Sequence, residues 1–112
     1  MSARSETRLW LAQRVSAAVL ALCVIVHLVT MIVAVRGGLT AADILGRTRG
    51  SAIWAAFYGV FVLAVAIHAP IGLRTIASEW LRWRGRAIDL GWLAAGLALF
   101  VLGLRAVAAV VL

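Results

Sequence analysis

The sequence predicts an all-α integral membrane protein, with three transmembrane helices in an antiparallel bundle. Three observations predict it. The chain has 112 residues, 65% of them hydrophobic, and its mean hydropathy is +1.08. Charged residues make up 13%, against about a quarter in soluble domains. Three apolar stretches each approach or exceed the ~20 residues that a bilayer core requires: Val15 to Val35, Ser51 to Leu73 and Leu90 to Leu112. Residues 1–112 therefore read as a single membrane domain, with helices over about 10–36, 51–79 and 87–112. No stretch remains for a soluble catalytic domain, so chemistry must lie among the helices or in a partner, and the chain is not expected to be catalytic alone.

The first helix follows Arg4, Arg8 and Arg14, which resemble the charged start of a signal peptide. Its apolar run is longer than the 7–15 residues of a signal peptide's apolar region, which predicts a retained span. Cys23 is the only cysteine, so the chain can form no internal disulfide and offers no thiol metal site; the residue reads as a small apolar filler. The first connection, "RGGLTAADILGRTRGS", opens on a Gly-Gly turn. Thr40 is placed to cap a short amphipathic turn containing Asp43, Ile44 and Leu45 at the outer surface.

The second helix carries "AVAIHAPIGLRTIASEWL". Pro70 lacks an amide proton, so the Ala66 carbonyl loses its helical donor and a bend is allowed there. The second connection, "SEWLRWRGRAID", alternates tryptophan with arginine. Trp80 and Trp83 suit the aromatic belt at a membrane interface, and the arginines suit anionic lipid or an acidic partner face. In the third helix, Gly91 with Ala95, and then Leu99 and Gly103, form a face of small residues that predicts close helix packing. Arg105 can snorkel outward.

All 11 basic residues are arginine, and the net charge is +7. They flank the apolar segments and do not stripe a soluble helix, which argues against nucleic acid. Arg4, Arg8, Arg14, Arg74, Arg82, Arg84 and Arg86 collect on one side, against Arg36, Arg47, Arg49 and Arg105 on the other. The majority side predicts a cytoplasmic N-terminus in a multi-pass protein.

The chain has two histidines, both inside apolar spans. Ionisable groups at that depth are costly and tend to be functional. Counting inward from the expected inner helix ends, Ser16 to His27 and His68 to Glu79 are both 11 residues. Each interval is about 16 Å and nearly three helical turns. On antiparallel helices this predicts His27 and His68 at one level, with Ser16 and Glu79 together at the inner surface. Facing imidazoles of this kind suit the two axial positions of a haem b. Ala64, Gly72 and Cys23 are small, and Met31 is soft, as a flat macrocycle between helices would need. The same residues also suit interhelical hydrogen bonds without a cofactor, or a proton path, although no carboxylate lies at mid-depth for the latter.

At "QRVSA", residues 13 to 17, and "HAPIGLRTIASEW", residues 68 to 80, the sequence resembles the small membrane-anchor cytochrome b subunits (D-type and C-type) of succinate dehydrogenase and fumarate reductase. That family carries [HQ]-R-x-[ST]-[GA] in its first helix. Its second helix carries H-x-x-x-G and then an acidic–aromatic pair eleven residues after the histidine. Here these are Gln13-Arg14-Val15-Ser16-Ala17, His68 with Gly72, and Glu79-Trp80.

The resemblance implies that His68 is an axial ligand of haem b, and that Arg14, Ser16, Glu79 and Trp80 lie at a quinone pocket. Arg14, Ser16 and Trp80 would supply hydrogen bonds or positive charge, and Glu79 a proton relay. It implies partners as well: a flavoprotein and an iron–sulfur subunit on the cytoplasmic face of a bacterial inner membrane, delivering electrons from a tricarboxylic acid cycle reaction. Two departures stand out. The usual tyrosine is Trp80, whose indole donates a hydrogen bond but accepts none. His27 also offers a second imidazole, where the family usually takes one from another membrane subunit. One chain supplying both ligands, a second copy, and an unlike second membrane subunit are all open on this reading. So are two competing functions, a haem-free anchor or assembly subunit and a small transporter.

Overall fold

A computed structural model describes residues 2–112. Four helices follow in order: α1, Ala3–Gly37; α2, Ala41–Thr48; α3, Ala52–Trp80; and α4, Arg86–Val111. No strand occurs among the described residues. α1, α3 and α4 are each long and apolar enough to cross a membrane. The molecule is a narrow bundle of 49 × 24 × 22 Å.

Capping explains where the helices start. Ser2, Thr40 and Ser51 are extended at the N-caps of α1, α2 and α3, and each hydroxyl accepts an amide hydrogen bond from the residue three ahead. The Thr40 cap agrees with the reading from sequence. Ser2 begins α1 well before the expected position near residue 10, so the arm bearing Arg4, Glu6 and Arg8 is helical. That early start turns out to set the depth of everything on α1.

α3 is the central element, packed against α1 on one side and α4 on the other. The interior is very small. Cys23, Ala34, Ala64 and Ile71 are the buried apolar residues, and Pro70 is the largest fully buried side chain. Most leucines, valines and isoleucines face outward, as lipid-facing residues do, because association in lipid rests on close contact and not on apolar burial.

Close contact between α3 and α4 comes through glycine. A Cβ on Gly96 would lie 3.1 Å from the Ala66 carbonyl oxygen and 3.2 Å from Pro70 Cγ. The carbonyl deprived of its donor by Pro70 therefore faces the barest point of α4. A Cβ on Gly103 would lie 2.4 Å from Val62 Cγ1. Gly91 differs, since nothing lies within 4 Å of its added Cβ. Gly96 and Gly103 thus make the close contact, whereas the small-residue face expected from Gly91 contributes none at its head.

α2 tethers the C-terminal end of α4. The buried Thr48 hydroxyl donates to the Val110 carbonyl at 2.6 Å, and the Gly50 amide donates to the Val111 carbonyl at 2.7 Å. These satisfy acceptors that a helix C-terminus leaves open. Thr48→Val keeps the shape and removes the donor. Thermal unfolding in detergent should show a loss of about 1 kcal/mol.

At the opposite end of the bundle, Arg74 joins all three spanning helices. Its guanidinium contacts Asp89 of α4 at 3.1 Å and Glu6 of α1 at 3.7 Å. The chain then reverses through Arg82, at φ 55°, and Gly85, at φ 119°. The Trp83 amide turns back to the Ala77 carbonyl at 3.1 Å.

Candidate functional site

The two histidines stand at different heights. His68 Nδ1 lies 3.5 Å from Ser16 Oγ, and His27 Nδ1 lies 3.4 Å from Tyr58 Oη. The Gln13 side-chain nitrogen packs over Gly72. These three contacts share one antiparallel register of α1 on α3. His68 and Tyr58 are ten residues apart on α3, which places the imidazoles about 15 Å apart along the bundle. The expectation of one level is therefore corrected. Counting had placed Ser16 near the inner end of the first helix, but α1 runs from Ala3, so Ser16 lies more than three turns inside it. The whole of α1 is displaced by nearly three turns relative to the expected pairing.

His68 is held in a defined way. The Ser16 hydroxyl donates to the Gln13 carbonyl at 3.1 Å. With the hydroxyl proton on that carbonyl, Ser16 accepts from His68 Nδ1–H, the tautomer that leaves the Nε2 lone pair available. A ligating histidine commonly has this form, one nitrogen hydrogen-bonded and the other directed at metal. Ser16 is buried, so water does not compete for the bond. Beside it, Gln13 Oε1 is buried with no hydrogen-bond partner.

The small residues near His68 have another use. Ala64 is buried, and Gly72 lies under Gln13, so both seat α1 against α3. An apolar groove of about 230 Å³ remains beside Ser16, lined by Ala12, Val15, Val19, Val60, Leu63, Ala64 and Ile67. No group of three or more metal-ligating side chains occurs among the described residues. His27 is about 15 Å from His68 along the bundle, so the two imidazoles could not hold one haem between them.

His27 sits in an aromatic cluster. Tyr58 and Phe61 approach its ring edge-on, at centroid distances of 5.9 and 5.7 Å. It borders an apolar cleft of about 600 Å³ between α1 and α4, which Ile44 and Thr48 of α2 border as well. Tyr58 was not singled out from sequence. The available signal was its status as the only tyrosine, set inside an apolar span where its hydroxyl needs a partner.

The expected quinone residues separate into two layers. Arg14 is exposed beside the Ser16 level, and its guanidinium lies 5.5 Å from the Trp10 ring centroid. Glu79 and Trp80 are in the last turn of α3, about 16 Å further inward than His68, and Trp80 is 81% exposed. Glu79 borders a polar inner cavity of about 690 Å³ with Glu6, Arg84, Arg86 and Asp89. The expected Ser16–Glu79 layer does not form, because Ser16 pairs with His68. Arg74, Arg84 and Arg86 lie near acidic side chains at this end, and Arg82 faces a separate groove.

Comparison with known proteins gives one match. The family model described as succinate dehydrogenase/fumarate reductase transmembrane subunit covers residues 1–110. No curated protein matches the chain, and no solved structure does. With the match spanning nearly every residue and three helices suited to crossing a membrane, the chain belongs to the family of succinate dehydrogenase/fumarate reductase transmembrane subunits.

Proposed function

We propose that this membrane-anchor subunit holds one axial position of a haem b through His68 and helps form a quinone site at its inner end, passing electrons from an iron–sulfur subunit to quinone. The observation that carries the reading is the His68–Ser16–Gln13 chain, which leaves Nε2 free to ligate. The haem supplies one-electron transfer when bound. The protein's part is to fix the imidazole by the buried serine and to exclude water with α1.

Any further residue needed to hold the haem would come from a second membrane subunit or a second copy of this chain, since His27 lies at another height. Arg14 favours negative charge developing on a quinone carbonyl oxygen. Glu79, in the polar inner cavity, is placed to pass protons from the cytoplasmic side, and Trp80 can donate from its indole. A partner chain must close the distance between these two layers.

The flavoprotein and iron–sulfur subunits dock at the cytoplasmic face of a bacterial inner membrane. Arg84 and Arg86 border the inner cavity and form no ion pair with a carboxylate among the described residues. Arg74 is engaged by Glu6 and Asp89 and is not the docking charge. Reversing Arg86 to glutamate should reduce co-purification of the soluble subunits, scored by flavin and iron content of washed membranes. Full retention would overturn the docking assignment. A purified complex without haem would instead support a haem-free anchor.

A further inference from the structure

We infer that the groove between the inner ends of α3 and α4 binds one anionic phospholipid. Its phosphate sits between Arg82 and Arg84, and its acyl chain lies along Ala87, Gly91 and Ala95. The inference does not rest on the electron-transfer reading. The groove holds about 550 Å³, with Leu73 and Ala77 forming its α3 wall.

Two observations point to this occupant. First, Ala87, Gly91 and Ala95 are one turn apart on α4 and line the groove, yet an added Gly91 Cβ meets nothing within 4 Å. The contact with α3 is made on another face, through Gly96 and Gly103. The strip is therefore an open channel walled by small residues. It covers only about 12 Å, a short seam for a partner helix of about 20 residues but long enough for the upper part of an acyl chain.

Second, the mouth is cationic. Arg74, Arg82 and Arg84 border it. Arg74 is matched by Glu6 and Asp89, whereas Arg82 and Arg84 are exposed and meet no carboxylate in an ion pair among the described residues. Free arginines above an apolar channel at the membrane interface complement a headgroup carrying phosphate above a hydrocarbon tail. The turn fixes them there, with Arg82 in the left-handed region and the next amide bonded back to Ala77.

The test uses the full chain with its accompanying subunits, purified in mild detergent and analysed by native mass spectrometry for retained lipid. The probe is a titration with phosphatidylglycerol or phosphatidylcholine. The wild type should retain about one phosphatidylglycerol per chain and no phosphatidylcholine. Arg82→Gln with Arg84→Gln should weaken that retention about thirtyfold, from two lost surface charges. Gly91→Leu, which fills the channel from a position whose Cβ meets no other atom within 4 Å, should abolish it. Arg105→Gln, at the outer end, should leave it unchanged. Inorganic phosphate should not displace the lipid, because it gains nothing from the channel. Equal retention of both lipids, displacement by phosphate, or retention unaffected by Gly91→Leu would each overturn the inference. Loss of a membrane partner in Gly91→Leu with lipid retained would assign the strip to a partner helix instead.

Discussion

Replacing His68 by alanine is expected to remove the b-type absorption bands from the assembled complex, while His27→Ala leaves them in place. The difference follows from position. His68 has a free Nε2, with Nδ1 anchored on a buried hydroxyl. His27 is about 15 Å away along the bundle, hydrogen-bonded to Tyr58 and enclosed by aromatic edges. Only one of them can ligate an iron at the His68 level. A reduced-minus-oxidised spectrum of purified complex, normalised to iron–sulfur content, reads the outcome.

Ser16→Ala gives a graded version of the same test. It removes the acceptor for Nδ1–H but leaves the ligand, so haem should be retained about tenfold less well, as for other partners that orient a metal-bound histidine. Bands that survive His68→Ala and vanish in His27→Ala would reverse the assignment. The double variant His27→Ala/His68→Ala should behave as His68→Ala alone.

The bundle was legible in the sequence because the bilayer imposes its length on the chain. Apolar runs of about 20 residues and flanking arginines are coarse signals that survive local variation. Caps were legible too, where Thr40 precedes a short polar turn. Register was not. Two helices of 35 and 29 residues can slide past each other by several turns with little change in hydropathy. Their relative height is set instead by contacts such as Gln13 over Gly72, Ser16 on His68 and Tyr58 on His27. Those depend on where α1 begins, and the charged arm gave no sign of being helical beyond Ser2 as a cap. The error was therefore nearly three turns, enough to separate two histidines that an end-to-end count had paired. Arg74 is a comparable case: sequence shows that an arginine is near an interface, but not that Glu6 and Asp89 from two other helices engage it.

Gly103→Ala is expected to destabilise the bundle, and Gly91→Ala to stabilise it slightly, although both are the same change on one helix. Alanine is the better helix former by about 0.8–1 kcal/mol, and at Gly91 no protein atom opposes that gain, since none lies within 4 Å of the new methyl. At Gly103 the methyl would come within 2.4 Å of Val62 Cγ1 and 2.9 Å of Cγ2. Valine has one strongly favoured rotamer in a helix, so it cannot swing away, and α3 and α4 must part. Overpacking of this kind costs about 1–3 kcal/mol, which exceeds the propensity gain. Gly103→Val adds two more methyl groups to the same contact and should cost about 3 kcal/mol or more, the larger effect on stability. Val62→Ala opens the space from the other side. The pair Val62→Ala/Gly103→Ala should therefore recover most of the loss, as a coupling of about 1–2 kcal/mol in a double-mutant cycle. Unfolding midpoints in a fixed detergent mixture supply all four corners. Additive behaviour would mean that Gly103 and Val62 do not touch, and that α4 packs on α3 by another face.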